Sequence, residues 1–424
     1  MSQQSVIIIG GGMAGLMAAK ELSAAGMQVR LLEAAPRLGG RIRTLYDTKF
    51  NHPAEAGAEF VHGELELTHR LLKEAGLETT VSKGHMLQVE NGKWQPRYAF
   101  TDGWDELMKQ MELLQEDITV ADFLQKYFGK ENDDYLRHTV QRFAEGYDLA
   151  DIEKASVFAL RREWLKEDED NYHINGGYSQ LAEYLKKVCT RQGCYIHVST
   201  IVQQVFWQQG KVMVTTNFDE QFIADKLIVA VPLGILQSAP GVPGHIVFTP
   251  AIPDYIEAAK QIGFGAAIKI LFQFSQPFWQ QQVTGLGFAF SEESVPAWWT
   301  QAPADDASLT GWISGPKAIA LKDASNDDLM QIALESLSAM FNIPVEALND
   351  LLTDAHIANW VNEPFVYGAY SYSTLGSEKA REQLSTPIEQ TIYFAGEALY
   401  NGDAPGTVEA ALVTGYHASA LLQG

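Results

Sequence analysis

The chain has 424 residues, 46% of them hydrophobic, a formal charge of −22 and only two cysteines. The length favours roughly two or three domains over one core, and the acidic balance argues against nucleic acid and anionic membranes as partners. No apolar run reaches the ~20 residues of a membrane span, and Cys189 and Cys194 cannot by themselves build a disulfide framework or a metal site.

Val6 to Ile9 are four β-branched apolar residues in a row, the pattern of a fully buried strand. A strand that early leaves no room for an export signal, so the expected compartment is the cytoplasm. Gly10, Gly12 and Gly15 follow in G-x-G-x-x-G spacing, and a helical run from Met13 to Ala25 begins at once. A second strand, Met27 to Leu32, ends in Glu33, where an acid binds a ribose hydroxyl. Strand, glycines, helix, strand and acid together predict dinucleotide binding. The glycines allow a tight turn and close approach to a pyrophosphate, and the helix amino end offers free N–H groups to it.

Arg37-Leu-Gly39-Gly40-Arg41 then places a second glycine pair beside the same ligand, with Arg41 able to donate to a diphosphate. Pro53 to Gly63 is another glycine-punctuated apolar stretch and carries Glu55, Glu59 and His62. Ser82 to Phe100 alternates like a hairpin turning at Asn91-Gly92. Trp104 to Lys166 is helical in spacing, and the acidic run Glu167 to Asp170 reads as a solvated loop. A turn at Ile174 to Tyr178 leads into a helix, Ser179 to Cys189. The period returns to two in Tyr195 to Val202, Gln204 to Gln208 and Lys211 to Asn217.

Leu227 to Val231 is another buried strand, and Pro240 to Pro253 is a proline- and glycine-rich connection. Gly265 to Phe274 and Gly285 to Phe290 read as strands. Lys269 interrupts the first of these apolar runs; alone it fits a solvent-facing strand lysine as well as a functional one. Ser325 caps a helix to Phe341. The chain ends with Phe394-Ala-Gly396-Glu397 and a helix to Leu422, with Pro405 in its first turn. Helices and strands recur in mixed order, so the class is α/β or α+β. No single linker divides the chain, so its domains interleave.

These motifs resemble, in order, those of the flavin-dependent amine oxidase family: monoamine oxidases, polyamine oxidases and histone-lysine demethylases. The resemblance rests on five stretches: the opening glycines with Glu33, Arg37 to Arg41, Glu55 to Ala58, the lysine of Phe264 to Lys269, and Phe394 to Glu397 followed by Pro405 to Val408. It implies a Rossmann-like FAD-binding domain of the glutathione-reductase type, made of residues 1–75, 190–255 and 376–424. A mixed-sheet and helical substrate domain is inserted as residues 76–189 and 256–375.

By the same resemblance FAD is held by Gly10, Gly12, Met13, Ala14 and Gly15, and by Glu33 with Ala34. Arg37, Gly40, Arg41, Gly57, Ala58 and Glu59 follow, with Val202 beside the adenine. Gly396 and Glu397 lie near the ribityl chain, and Gly406, Thr407 and Val408 at the flavin's pyrimidine edge. Lys269 holds a water beside the flavin, Trp360 packs on the ring and Tyr370 forms a wall of the amine cage. His62 stands near the substrate amine; from the residues alone it is as well a hydrogen-bonded structural histidine. Ala369 replaces the cysteine that monoamine oxidases bond to flavin, so FAD is expected to be non-covalent. Thr407 replaces the second cage tyrosine.

The implied reaction oxidises a primary or secondary amine. Hydride passes from its α-carbon to flavin, the imine hydrolyses, and oxygen becomes hydrogen peroxide. The expected partners are a small amine and oxygen, with the protein a monomer or homodimer. Alternatives are an L-amino acid oxidase, needing a cation such as Arg142, Arg161 or Arg162 for the carboxylate, and a desaturase or isomerase of the same fold.

Overall fold

The opening strand, Ser5–Ile9, is the middle of a five-stranded parallel sheet. The structure, a computed structural model, describes residues 4–46, 48–90, 92–97, 103–165 and 170–424. In spatial order the sheet runs Tyr195–His197, Gln28–Leu32, Ser5–Ile9, Lys226–Val229 and Ile392–Phe394. Val6 to Ile9 are buried on both faces, as a parallel strand covered on both sides requires. One face packs on helices Met13–Ala24, Glu66–Ala75, Ser179–Arg191 and Val408–Gln423. The other packs on a four-stranded sheet ordered Gln221–Ala224, Lys211–Thr216, Val202–Gln208 and Val247–Thr249.

A seven-stranded sheet forms a second layer. Its order is Leu352–Asn359, Ala267–Phe274, Ser308–Ser314, Ala297–Trp299, Leu286–Phe290, His85–Glu90 and Lys93–Pro96. Helix Asn326–Phe341 covers it, and Ser325 caps that helix by accepting from Asp328 N. A three-stranded sheet, Phe60–His62, Asn171–Ile174 and Thr79–Val81, lies nearby in the chain.

Four sequence expectations change. The helical span from Trp104 is four α-helices, Trp104–Leu113, Val120–Tyr127, Asp134–Gly146 and Val157–Trp164. Thr119 and Ser156 each accept from an amide three residues on, so the chain starts a new helix at those positions. The strand expected over Tyr195 to Val202 is two strands in different sheets; Ser199 turns the chain between them at φ 53°. Pro405 lies before the last helix rather than in its first turn, because Gly406 takes φ 69° and Thr407 becomes the cap. The connection at Pro240 to Pro253 also contains the strand Val247–Thr249. Asn91, Phe100, Lys166 and the residues 167–169 lie outside the described residues.

The last helix is tied to helix Glu66–Ala75 by one carboxylate. Glu409 accepts from Leu67 N at 2.9 Å, and from Thr68 N and Thr68 Oγ1 at 2.7 Å each. It satisfies amides at a helix start where no intrahelical partner exists. Glu409→Ala should therefore lower stability by about 2–3 kcal/mol in urea unfolding. An unchanged midpoint would show the cap to be dispensable.

Candidate active site

The two glycine turns near the amino terminus meet. Gly39 N donates to Gly11 O at 2.9 Å, and Gly12 and Gly39 form a parallel bridge. Gly10 sits at φ 108°, and a Cβ there would lie 2.4 Å from Ala230 O. A Cβ on Gly15 would lie 1.9 Å from Gly10 O, so helix Met13–Ala24 can seat on its strand only without a side chain at that point. No side chain caps this helix at Gly12, and its first turn holds no acid. Its leading amides and positive dipole end therefore suit an external anion.

Glu33 lies at the same end. It accepts from Gly11 N at 2.5 Å and Ala35 N at 2.7 Å. Burial pushes its carboxyl up, against the opposing pull of those two amides and Arg37. The segment after Tyr195–His197 runs alongside: Ser199 N donates to Ala35 O and Thr200 N to Glu33 O. That brings Val202, itself buried, toward the acid. Arg37 turns inward and donates to Ile42 O at 2.9 Å.

Arg41 reaches across the molecule. Its Nη1 donates to Ala369 O at 2.6 Å and to Glu397 Oε1 at 2.7 Å. Glu397 Oε2 accepts from Ser371 Oγ at 2.7 Å. Arg41 and Glu397 line a recess with Val231, Leu233, Leu236 and Gly396. The third stretch packs against Arg41 from behind, with Ala58 N donating to Arg41 O at 3.0 Å.

Lys269 is buried, as is every residue of its strand Ala267–Phe274. Its Nζ donates to Glu59 Oε2 at 2.6 Å and to Gly57 O at 3.1 Å. Glu59 Oε1 also accepts from Trp299 Nε1 at 3.1 Å and Gln301 Nε2 at 2.9 Å, with His173 Nδ1 at 3.8 Å. Burial pushes the Glu59 carboxyl up, but Lys269, His173 and the donated hydrogen bonds outweigh it and hold it below the usual range. Sequence reasoning gave Glu59 to the cofactor, whereas its side chain holds the lysine. It also missed His173, Trp299 and Gln301, which no local motif marks. Phe60 packs on His173 and Trp299 with centroids 4.8 and 5.9 Å apart, and Lys269 Nζ stands 5.4 Å from the Trp299 ring centre.

Trp360 is buried beside this cluster and donates from Nε1 to Ala56 O at 2.8 Å. Tyr370 donates to Tyr147 O at 2.5 Å, and burial raises its hydroxyl well above the ordinary value. Gly406 lies against the Tyr370 ring; a Cβ there would stand 3.0 Å from Cδ2. Thr407 caps the last helix through Ala410 N at 3.2 Å, so Val408 and its neighbours form an amino end beside Tyr370. His62 stands apart from Lys269's hydrogen bonds; its Nδ1 lies 2.6 Å from Asn171 Oδ1. Of the arginines considered for a substrate carboxylate, Arg142 pairs with Glu292 at 2.7 Å and Arg161 with Glu112 at 3.5 Å. Arg162 lines a polar cleft with Glu163 and Arg381.

Residues 13–423 match the family described as flavin containing amine oxidoreductase. The chain belongs to that family. Polyamine oxidase 2 of Arabidopsis thaliana is 28% identical, covering 98% of this chain and 87% of the relative. Lysine-specific histone demethylase 1 homolog 3 of the same plant is 26% identical over 98% of this chain, which spans only 30% of that protein. Among solved structures, putrescine oxidase bound to putrescine superposes with a TM-score of 0.81 at 21% identity, covering 99% of this chain and 98% of that one. Cyclohexylamine oxidase from Brevibacterium oxydans IH-35A gives 0.81 at 19%, with coverage of 99% and 98%. These likenesses fix the fold. FAD is the family's cofactor, and the uncapped helix, the open side of Gly12 and the acid at Glu33 fit its diphosphate and ribose.

Glu55 adds a titration. Its carboxylate accepts from Tyr178 N at 2.6 Å and Thr44 Oγ1 at 2.9 Å. Burial nevertheless pushes it up to about 7. Between its unfolded value of 4.5 and that folded value, the native state binds the extra proton. Stability from this group is therefore complete below the lower value and is lost as pH rises through the upper one. Glu55→Gln should flatten that fall, which amounts to roughly 3 kcal/mol at most. Urea midpoints at mildly acid and mildly alkaline pH, wild type against variant, check the sign.

Proposed function

We propose that this enzyme is an oxidase of a primary or secondary amine, monoamine or polyamine, with oxygen as acceptor. The observation that carries the reading is the buried Lys269, paired with Glu59, 5.4 Å from the Trp299 ring centre, on a strand whose neighbour Leu352–Asn359 leads into Trp360. FAD supplies a hydride acceptor for the amine α-carbon and a carrier of electrons to oxygen, giving hydrogen peroxide after imine release.

The chain's own residues bind, orient and exclude water. Met13 and Ala14 amides, with Gly10, Gly12 and Gly15, take the diphosphate at the helix end. Glu33 has lone pairs left for a ribose hydroxyl after its two amide partners, with Ala34 and Val202 alongside. Arg37, Gly40, Arg41, Gly57 and Ala58 close the other side, and Gly396 and Glu397 flank the linking chain. Gly406, Thr407 and Val408 present a helix amino end to developing negative charge. Trp360 and Tyr370 orient the amine, with Tyr370 the single aromatic wall because Thr407 takes the place of a second tyrosine. Lys269 holds a water and a positive charge at the reacting end, and His62 guides the amine into the site. Residues 1–75, 190–255 and 376–424 serve FAD, and the rest serve the substrate, in a cytoplasmic protein. Ala369 offers no nucleophile, so FAD is held without a covalent bond.

An L-amino acid oxidase is less well supported, since Arg142 and Arg161 are already paired with carboxylates.

Spermidine, putrescine, aryl alkylamines and L-amino acids should be mixed anaerobically with the flavoprotein. Bleaching by an amine is expected, and none by any amine would sink the proposal. Lys269→Met should keep FAD but reduce slowly, by about 10²-fold. Acid precipitation should release the yellow colour to the supernatant; colour kept in the pellet would contradict non-covalent binding.

A further inference from the structure

We propose that Glu59 is the positioning residue for Lys269, fixing its ammonium in one place and keeping it charged. The proposal rests on the reading that puts Lys269 beside the flavin.

A lysine that is 1% exposed, on a strand buried at every position, cannot remain an ammonium without a counter-ion. Glu59 supplies one at 2.6 Å, and Gly57 O supplies a second acceptor at 3.1 Å. Two acceptors in fixed directions define where the nitrogen sits. The carboxylate is equally constrained. Lys269 occupies Oε2, while Trp299 and Gln301 occupy Oε1. Both oxygens of Glu59 thus serve neighbouring side chains of the protein, and its work is directed inward.

The arrangement spans three parts of the fold. Glu59 lies just before the strand Phe60–His62, Lys269 in the seven-stranded sheet, and His173 in the strand that pairs with Phe60–His62. The titratable groups that face Glu59 are Lys269, His173 and Glu55. His173 stands 3.8 Å from Oε1, and its Nε2 is enclosed with no hydrogen-bond partner among the described residues. Burial pushes His173 down, so it does not compete as a cation for the carboxylate near neutral pH. Lys269 is therefore the cation paired with Glu59, and each charge offsets the burial of the other.

The test uses FAD-loaded protein, and its first readout needs no substrate. The visible flavin spectrum reports charge near the ring and is followed against pH. Glu59→Gln keeps the shape and removes the charge. Its spectrum should show one proton transition more than wild type, in which Glu55 already titrates. Glu59→Gln combined with Lys269→Met should lack that added transition and recover the thermal stability lost in Glu59→Gln. Glu59→Asp should keep the wild-type spectrum. Anaerobic reduction by an amine should slow up to about a hundredfold in Glu59→Gln, with no further loss when Lys269→Met is added.

A Glu59→Gln spectrum that titrates like wild type, while Lys269→Met alone changes it, would overturn the proposal and leave the amine oxidase reading intact. A spectrum unchanged in Lys269→Met would remove the lysine from the flavin, and the proposal with it. Failure of every amine to bleach a flavin whose spectrum follows these expectations would count against the substrate reading alone.

Discussion

Backbone meets backbone at the centre of this molecule, with no space for a side chain between. A Cβ on Gly15 would fall 1.9 Å from Gly10 O, and one on Gly415 would fall 2.2 Å from Ala14 O. The first helix is therefore pressed onto its strand, and the last helix onto the first. Everything assigned to cofactor binding hangs from that contact. It aims the uncapped end of helix Met13–Ala24 at the Gly39 turn, and it brings the helix capped by Thr407 to the same side of the sheet.

Charge is the second organising element. Two ion pairs join stretches that are remote in the chain: Arg41 with Glu397, and Lys269 with Glu59. Both are largely removed from water, where an unpaired charge is costly and a pair is stable only with good geometry and further hydrogen bonds. Each carboxylate has such support, from Ser371 in one case and from Trp299 and Gln301 in the other. The pairs are weak evidence for stability as such. They are strong constraints on geometry, because each fixes two segments that are far apart in the chain.

How much of this could be read beforehand depended on sequence distance. The strand, glycines, helix and acid at the start lie within one short stretch, and periodicity and spacing marked them. The cap at Ser325 was equally local. Lys269 stood out as a charge in an apolar strand, yet its surroundings could not be deduced. Glu59, Trp299 and Gln301 reach it from far along the chain, and His173 belongs to a strand with no motif. The helical span after Trp104 was legible in kind but not in division. Thr119 followed by Asp122 is a local capping signal that was available and overlooked. The strand Tyr195–His197 could not be told from its neighbour, because period two does not name the sheet that a strand joins.

The order of the parallel sheet also shapes how the chain comes to be folded. Ser5–Ile9 is flanked by Gln28–Leu32 and by Lys226–Val229, and Ser5 bonds Asp225 across 220 positions. During synthesis that second neighbour emerges roughly 10–40 s after the first strand. For that interval an all-apolar strand has one open edge, the kind of surface that pairs with the wrong partner. The final strand, Ile392–Phe394, arrives later still and pairs with Lys226–Val229. The central sheet thus draws its strands from both ends of the chain, and its pairing is complete only when the last hundred residues are in place.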